Sequence, residues 1–171
     1  TPDITEFIEE AYERCGIELR TGYDLKSAIR SANIMLAEWA NRGLNQWTIS
    51  TGTQTTTEGT ESYQLGTDVI DVLDVVVRRT EGSTTTDTRL ERISRSEYFN
   101  IPNKSTKARP SQFFLDKQNN PTLFVYPAPE NSTDIIRFNK LTRLDDADNA
   151  RNTMDIPFRF FPCFSAGLAY Y

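Results

Sequence analysis

The residues whose types and spacing invite chemistry are few, and most are carboxylates. Asp145, Asp146 and Asp148 fall close together, an oxygen-rich grouping that suits a hard cation such as calcium or magnesium. A calcium loop also needs a turn glycine and a distal glutamate, and neither lies in reach, so the segment reads as a solvated acidic loop. Carboxylates are the general acids and bases this composition readily allows, because the 171 residues include no histidine. That absence excludes a Ser-His-Asp triad, a Cys-His dyad and the usual imidazole metal ligand. The two cysteines, Cys15 and Cys163, make neither a disulfide framework nor a four-thiolate zinc site. Cys15 sits on an apolar helical face with no histidine to activate it, which reads as core. A phosphate cradle needs a Gly-rich strand-to-helix turn. Gly16 and Gly22 lie at a helix end instead, and Gly52, Gly59 and Gly66 lie in a Thr-rich stretch. An enzyme built here would hold two acids across a cleft, and no cofactor or metal is expected.

Charge is more informative than any such motif. The net charge is -5, an acidic balance that argues against a simple nucleic-acid coat. Residues 1–77 carry five basic and thirteen acidic groups, whereas residues 78–109 carry eight and four. The basic window contains Arg78, Arg79, Arg89, Arg92, Arg95, Lys104, Lys107 and Arg109. One reading is a solvated face. The sharper one is a head-to-tail contact, in which Glu6, Glu9, Glu10 and Glu13 of one copy meet the basic strands of the next.

The elements that position these groups are legible from periodicity. Ile4, Phe7, Ile8, Ala11, Tyr12 and Cys15 trace one helical face, opened by Asp3 and Glu6 as in a capping box and closed by Gly16. A second helix is expected from Asp24 to Arg42, with Leu25, Ala28, Ile29, Ala32, Leu36, Trp39 and Ala40 as its stripe and Gly43 as its end. Seven of the thirteen residues from Thr48 to Thr60 are threonine, a β-branched polar run that predicts an exposed hairpin arm or edge strands. Thr53, Gln54, Thr55, Thr56 and Thr57 form the candidate extended arm. Strands are expected at Val72–Arg79, Thr84–Ile93, Gln112–Leu115, Thr122–Tyr126 and Ile135–Leu141, with a short helix capped by Ser94 and Glu97. A final helix starts after Pro157 or Pro162.

The fold class is therefore α+β: an N-terminal helical hairpin (1–47) and a C-terminal helix (143–171, after an acidic loop) packing together, with an inserted antiparallel β-sandwich-like module (48–142). The arm spans 48–62 and the short helix 94–100. No run approaches the roughly 20 apolar residues that span a bilayer, and no basic-then-apolar leader opens the sequence. A soluble, non-secreted chain is expected, with Asn131-Ser132-Thr133 carrying no glycan and the lone cysteines in a reducing compartment. The initial Thr1 and the apolar closing stretch read as cut edges of a longer chain. Phe113, Phe114, Phe124, Tyr126 and Phe138 fall on predicted strands. They read as sandwich core, or alternatively as the platform of a small β-rich module binding carbohydrate or protein.

Several segments, taken in order, resemble a known family. They are Ala32 to Thr48 (ANIMLAEWANRGLNQWT), Tyr63-Gln64-Leu65 before Asp68 to Leu73, and Ile93 to Tyr98. Arg109-Pro110 with Phe113 to Asp116, Leu123 with Tyr126 to Pro129, and Asp155-Ile156-Pro157 with Ala166 to Tyr171 complete the series. Together they resemble the head-to-tail adaptor proteins of short-tailed phages, including the tail tubular protein A type. The resemblance implies a non-enzymatic virion protein at the head-tail junction, made in the host cytoplasm and assembled as a ring, typically dodecameric. Its implied partners are further copies of itself, the portal, the tail nozzle and tail fibre proteins, with double-stranded DNA passing through and no membrane or small-molecule substrate. In such a ring, Asp145, Asp146 and Asp148 or the acids of the first helix are candidate channel-lining groups.

Overall fold

The computed structural model describes residues 3–18, 22–43, 48–143 and 156–171. In chain order the elements are α1 (Ile4–Arg14), α2 (Gly22–Asn41), β1 (Ile49–Thr55), β2 (Ser62–Gln64), β3 (Val69–Glu81), β4 (Thr84–Arg89), β5 (Glu91–Arg92), α3 (Arg95–Phe99), β6 (Gln112–Asp116), β7 (Thr122–Tyr126), β8 (Ile135–Thr142) and α4 (Phe161–Tyr170), the last after a 3-10 turn at Phe158–Phe160. The class is α+β with antiparallel sheets, as expected. The chain divides into a helical unit, from residues 1–47 and 144–171, and a β unit, 48–143.

In the helical unit, Asp3 caps α1 by accepting from the Thr5 and Glu6 amides at 2.9 and 3.1 Å. This satisfies two of the orphan donors at the helix start. The stripe of α1 buries Ile4, Phe7, Ile8 and Ala11 against Ala28, Ala32, Met35 and Leu36 of α2 and against Phe164 and Leu168 of α4. Each large side chain so buried contributes roughly 1.5–3 kcal/mol. Phe7 meets Phe161 and Phe164 edge to face, with centroids 4.8 and 5.4 Å away. Gly167 keeps α4 close to α2, since a Cβ there would lie 2.6 Å from the Met35 sulfur. Cys15 departs from its expected core place. The helix ends at Arg14, leaving Cys15 as an exposed cap whose thiol donates to the Ala169 carbonyl at 3.3 Å.

The β unit is two four-stranded sheets, ordered β1-β8-β3-β4 and β2-β7-β6-β5. Every pair is antiparallel except β5 with β6. Their common core is Val72, Val75, Val77, Ile136 and Phe138 from one sheet, with Tyr63, Phe113, Leu115, Leu123 and Val125 from the other. The expected strand Thr84–Ile93 is split at Leu90. The Leu90 amide bonds to Val75 in the first sheet, and the next amide, Glu91, bonds to the Ser111 carbonyl just before β6 of the second sheet at 2.8 Å. The chain thus changes sheets at a buried leucine. Two bulges in β3 leave Ile70 and Leu73 without register partners, and both side chains are exposed.

Of the two forms expected of the Thr-rich segment, the structure takes the edge strand. Thr53, Gln54 and Thr55 belong to β1, paired with Arg137, Ile136 and Ile135. Thr56 is buried, its hydroxyl donating to the Asp134 carbonyl at 2.9 Å, and the Thr57 amide bonds to the Tyr63 hydroxyl. A projecting arm is therefore not the form of residues 53–57: ladder bonds along β1 and a satisfied hydroxyl at Thr56 hold them to the sandwich.

Candidate functional site

Many charged side chains of the β unit pair with one another within that unit. Arg78 faces its register partner Asp87 and donates to both carboxylate oxygens at 2.7 Å. The Arg78 hydrogen bond holds the Asp87 carboxyl below its ordinary value. Arg79 grips buried Asp134 through Nε at 3.0 Å and Nη2 at 2.7 Å, and also reaches Glu130. These hydrogen bonds raise the already high Arg79 pKa. Arg89 meets Asp74 at 2.6 Å, and Arg95 meets Asp116 at 2.7 Å. Arg92 reaches Asp71 at 3.0 Å and the Val72 carbonyl at 3.2 Å, while Lys117 takes the other Asp71 oxygen. Lys107 pairs with Glu58. Lys104 donates to the Phe99 and Ile101 carbonyls, and Arg109 has Nε and Nη2 buried without a hydrogen-bond partner among the described residues.

These contacts redraw the charge map. The acids Asp71 and Asp74 fall in the acidic window of the sequence, yet they neutralise Arg92 and Arg89 from the basic one. Counted by unit, residues 48–143 hold twelve basic and twelve acidic groups. The whole excess of -5 belongs to residues 1–47 and 144–171.

In the helical unit, Glu6, Glu9, Glu10 and Glu13 recur at helical spacing and form one exposed face of α1. Glu10 pairs with Arg14 at 2.8 Å. Glu6, Glu9 and Glu13 have no ion partner among the described residues. Asp145, Asp146 and Asp148 lie outside the described residues. A groove of about 210 Å³ between α1, α2 and α4 is lined by groups such as Tyr12, Cys15, Ile17 and Leu168 and holds no carboxylate. Among the described residues no group of three or more His, Cys, Asp or Glu side chains converges as a metal site. No helix there is long and apolar enough to cross a membrane.

Strand alternation sorts the aromatics. Phe113 and Phe138 point into the core, whereas Phe114, Phe124 and Tyr126 lie half-buried on the opposite face of their sheet. Tyr98 of α3 stacks on Phe114 at 5.7 Å and meets Phe124 at a tilt, 5.2 Å away, and Arg95 lies over the Phe114 ring at 5.8 Å. The capping box holds α3 in that place, with the Ser94 amide donating to Glu97 at 2.7 Å and the Glu97 amide to Ser94 at 3.2 Å. The helix covers these rings, so they do not form the open platform of the alternative reading. Sequence reasoning named Phe114 and Phe124 but not Tyr98 as their lid; the capping box followed by Tyr98-Phe99 was the available signal.

Among the described residues, the β unit offers long strand edges and arginine–carboxylate pairs, and α1 offers an exposed acidic face. A family model for the SU10 adaptor protein matches residues 3–171, and the chain belongs to that family of phage adaptors. No curated protein matches it.

Proposed function

We propose that this chain is a non-enzymatic head-tail adaptor of the virion, assembled as a ring between the portal and the tail nozzle around the path of the DNA. The family match over nearly the whole chain carries this reading. The dodecameric state, the likeness to the tail tubular protein A type, tail fibre proteins as further partners and synthesis in the host cytoplasm all belong to the proposal. So does a role for the acidic α1 face. Glu6, Glu9 and Glu13 stand exposed without ion partners among the described residues, and acids along a channel repel phosphates, letting a genome slide without sticking. Asp145, Asp146 and Asp148 would add to the same field. The arginines Arg78, Arg79, Arg89, Arg92 and Arg95 serve chiefly to hold the β unit together, because each has an acidic partner within it. Mixing the purified chain with portal rings of the phage that encodes it, followed by electron microscopy, tests the proposal. A ring of this chain docked on the portal is expected; no complex at any salt concentration would overturn it.

A further inference from the structure

The two sheets of the β unit treat their edges differently. The second sheet ends in β2 and β5, of three and two residues, and so short an edge offers little to a neighbouring strand. The first sheet ends in β1 and β4, of seven and six residues. Strand β1 reads ISTGTQT, with no charge and no proline, and its register with β8 runs unbroken from Ile49 to Thr55. It lacks the length limit, lysine, proline or bulge by which exposed edges are usually blunted. Strand β4 carries Asp87 and Arg89, but Arg78 and Asp74 of β3 already pair with them. Among the described residues, no strand pairs with the outer edge of either.

The ladder bonds show which backbone groups those edges present. The Thr142 amide bonds to the Thr48 carbonyl and the Thr56 amide to that of Asp134. Antiparallel alternation then turns the N–H and C=O groups of Ile49, Thr51, Thr53 and Thr55 outward. The Thr55 carbonyl is met by its neighbour's Gln54 amide at 3.3 Å. On β4, the Leu90 amide bonded to Val75 sets the same alternation and leaves Thr85, Asp87 and Arg89 facing out. Polarity also matches. Each step along β1, β8, β3 and β4 is antiparallel, so β1 and β4 run in opposite directions. A second copy placed edge to edge in the same sense sets its β1 antiparallel to β4 of the first.

We propose that β4 of one copy pairs with β1 of the next, so that the first sheet continues from subunit to subunit. The contact is head to tail, and its repetition closes into a ring when the rotation permits. The threonines on both strands suit such pairing by their β propensity. The inference rests on the assembly reading above and names the surface that performs it.

Cross-linking tests it. In a Cys15→Ser, Cys163→Ser background, Thr53→Cys on β1 and Thr85→Cys on β4 are combined, the chain is assembled on portal rings, and a short bismaleimide is added. Opposed side chains across an antiparallel pair lie about 5 Å apart, and diagonal ones about 7–8 Å, so the reagent tolerates a shift in register. The double variant is expected to give a ladder of dimers, trimers and higher species, and each single variant none. Thr53→Pro removes one outward amide and no β8 bond; it is expected to keep the parent circular dichroism and lose assembly. Dimers from Thr53→Cys alone would show β1 against β1 and overturn the proposal. Docked rings without a ladder would overturn it too, while leaving the adaptor reading standing. Failure to dock on the portal would remove both.

Discussion

Arg79 and Asp134, 55 positions apart in sequence, form a two-point ion pair with Asp134 almost fully buried. The Asp134 carbonyl and the Asn131 carbonyl both accept from Thr56, so the pair ties the end of β3 to the turn before β8 and to the end of β1. Removing one partner strands a buried charge, which costs about 3–5 kcal/mol. Arg79→Ala, which leaves Asp134 buried without its ion partner, is expected to lower the urea midpoint accordingly. Glu130→Ala, at a half-exposed partner of Arg79, is expected to cost under about 1 kcal/mol.

Gly52 of β1 lies opposite Phe138 of β8, and the phenyl ring occupies the space a side chain would take. A Cβ at Gly52 would sit 2.5 Å from the ring. Gly52→Ala is expected to destabilise the β unit by about 1–3 kcal/mol through overpacking. Phe138→Leu in the same chain should recover part of that loss, so the double variant should unfold later than the sum of the single losses implies.

Tyr98 presents two separable contributions. Its ring packs on Phe114 and Phe124, and its hydroxyl is buried without a hydrogen-bond partner among the described residues. Tyr98→Ala is therefore expected to cost about 3–5 kcal/mol, whereas Tyr98→Phe should be neutral or slightly stabilising. Burial, with the charge of Glu61, raises the Tyr98 pKa to about 12. Its contribution to stability is intact below about pH 10, the unfolded value, and is lost as pH rises towards 12. Tyr98→Phe should flatten that alkaline decline, as followed by thermal melts.

Asp71 governs the acid side. Desolvation alone would raise its carboxyl, but the Lys117 hydrogen bond, the Val72 amide and the Arg92 charge outweigh it and hold the carboxyl below its ordinary value. Asp87 beside Arg78, and Glu58 beside Lys107, are lowered likewise. With folded values depressed, the unfolded chain binds more protons. This stability is present above about pH 4 and is lost as pH falls through the folded values. Asp71→Asn should make the decline below that pH shallower, as read from urea midpoints across the acid range.

How much of this was legible follows from how local each signal is. The α1 stripe and the Ser94–Glu97 capping box depend on neighbours within a few residues, and the structure shows both. Met35 also fits the α2 stripe, three residues after Ala32 and seven after Ala28, and it is buried there; its close approach to Gly167 of α4 has no local mark. The change of sheet at Leu90 was invisible for the same reason: residues 84–93 have continuous strand character, and only pairing with Ser111 ends β4. The charge windows divide partners that meet across the fold, as Arg79 meets Asp134 and Arg92 meets Asp71. Cys15 shared the apolar phase of α1 but lay past its last turn.

A symmetric reconstruction of the head-tail vertex of the phage that encodes this chain tests the central claim most directly. The account predicts a closed ring of this chain between portal and nozzle, with the Glu6–Glu13 face of α1 towards the DNA path. A vertex in which that position is filled by another protein, or in which this chain is absent, would contradict it.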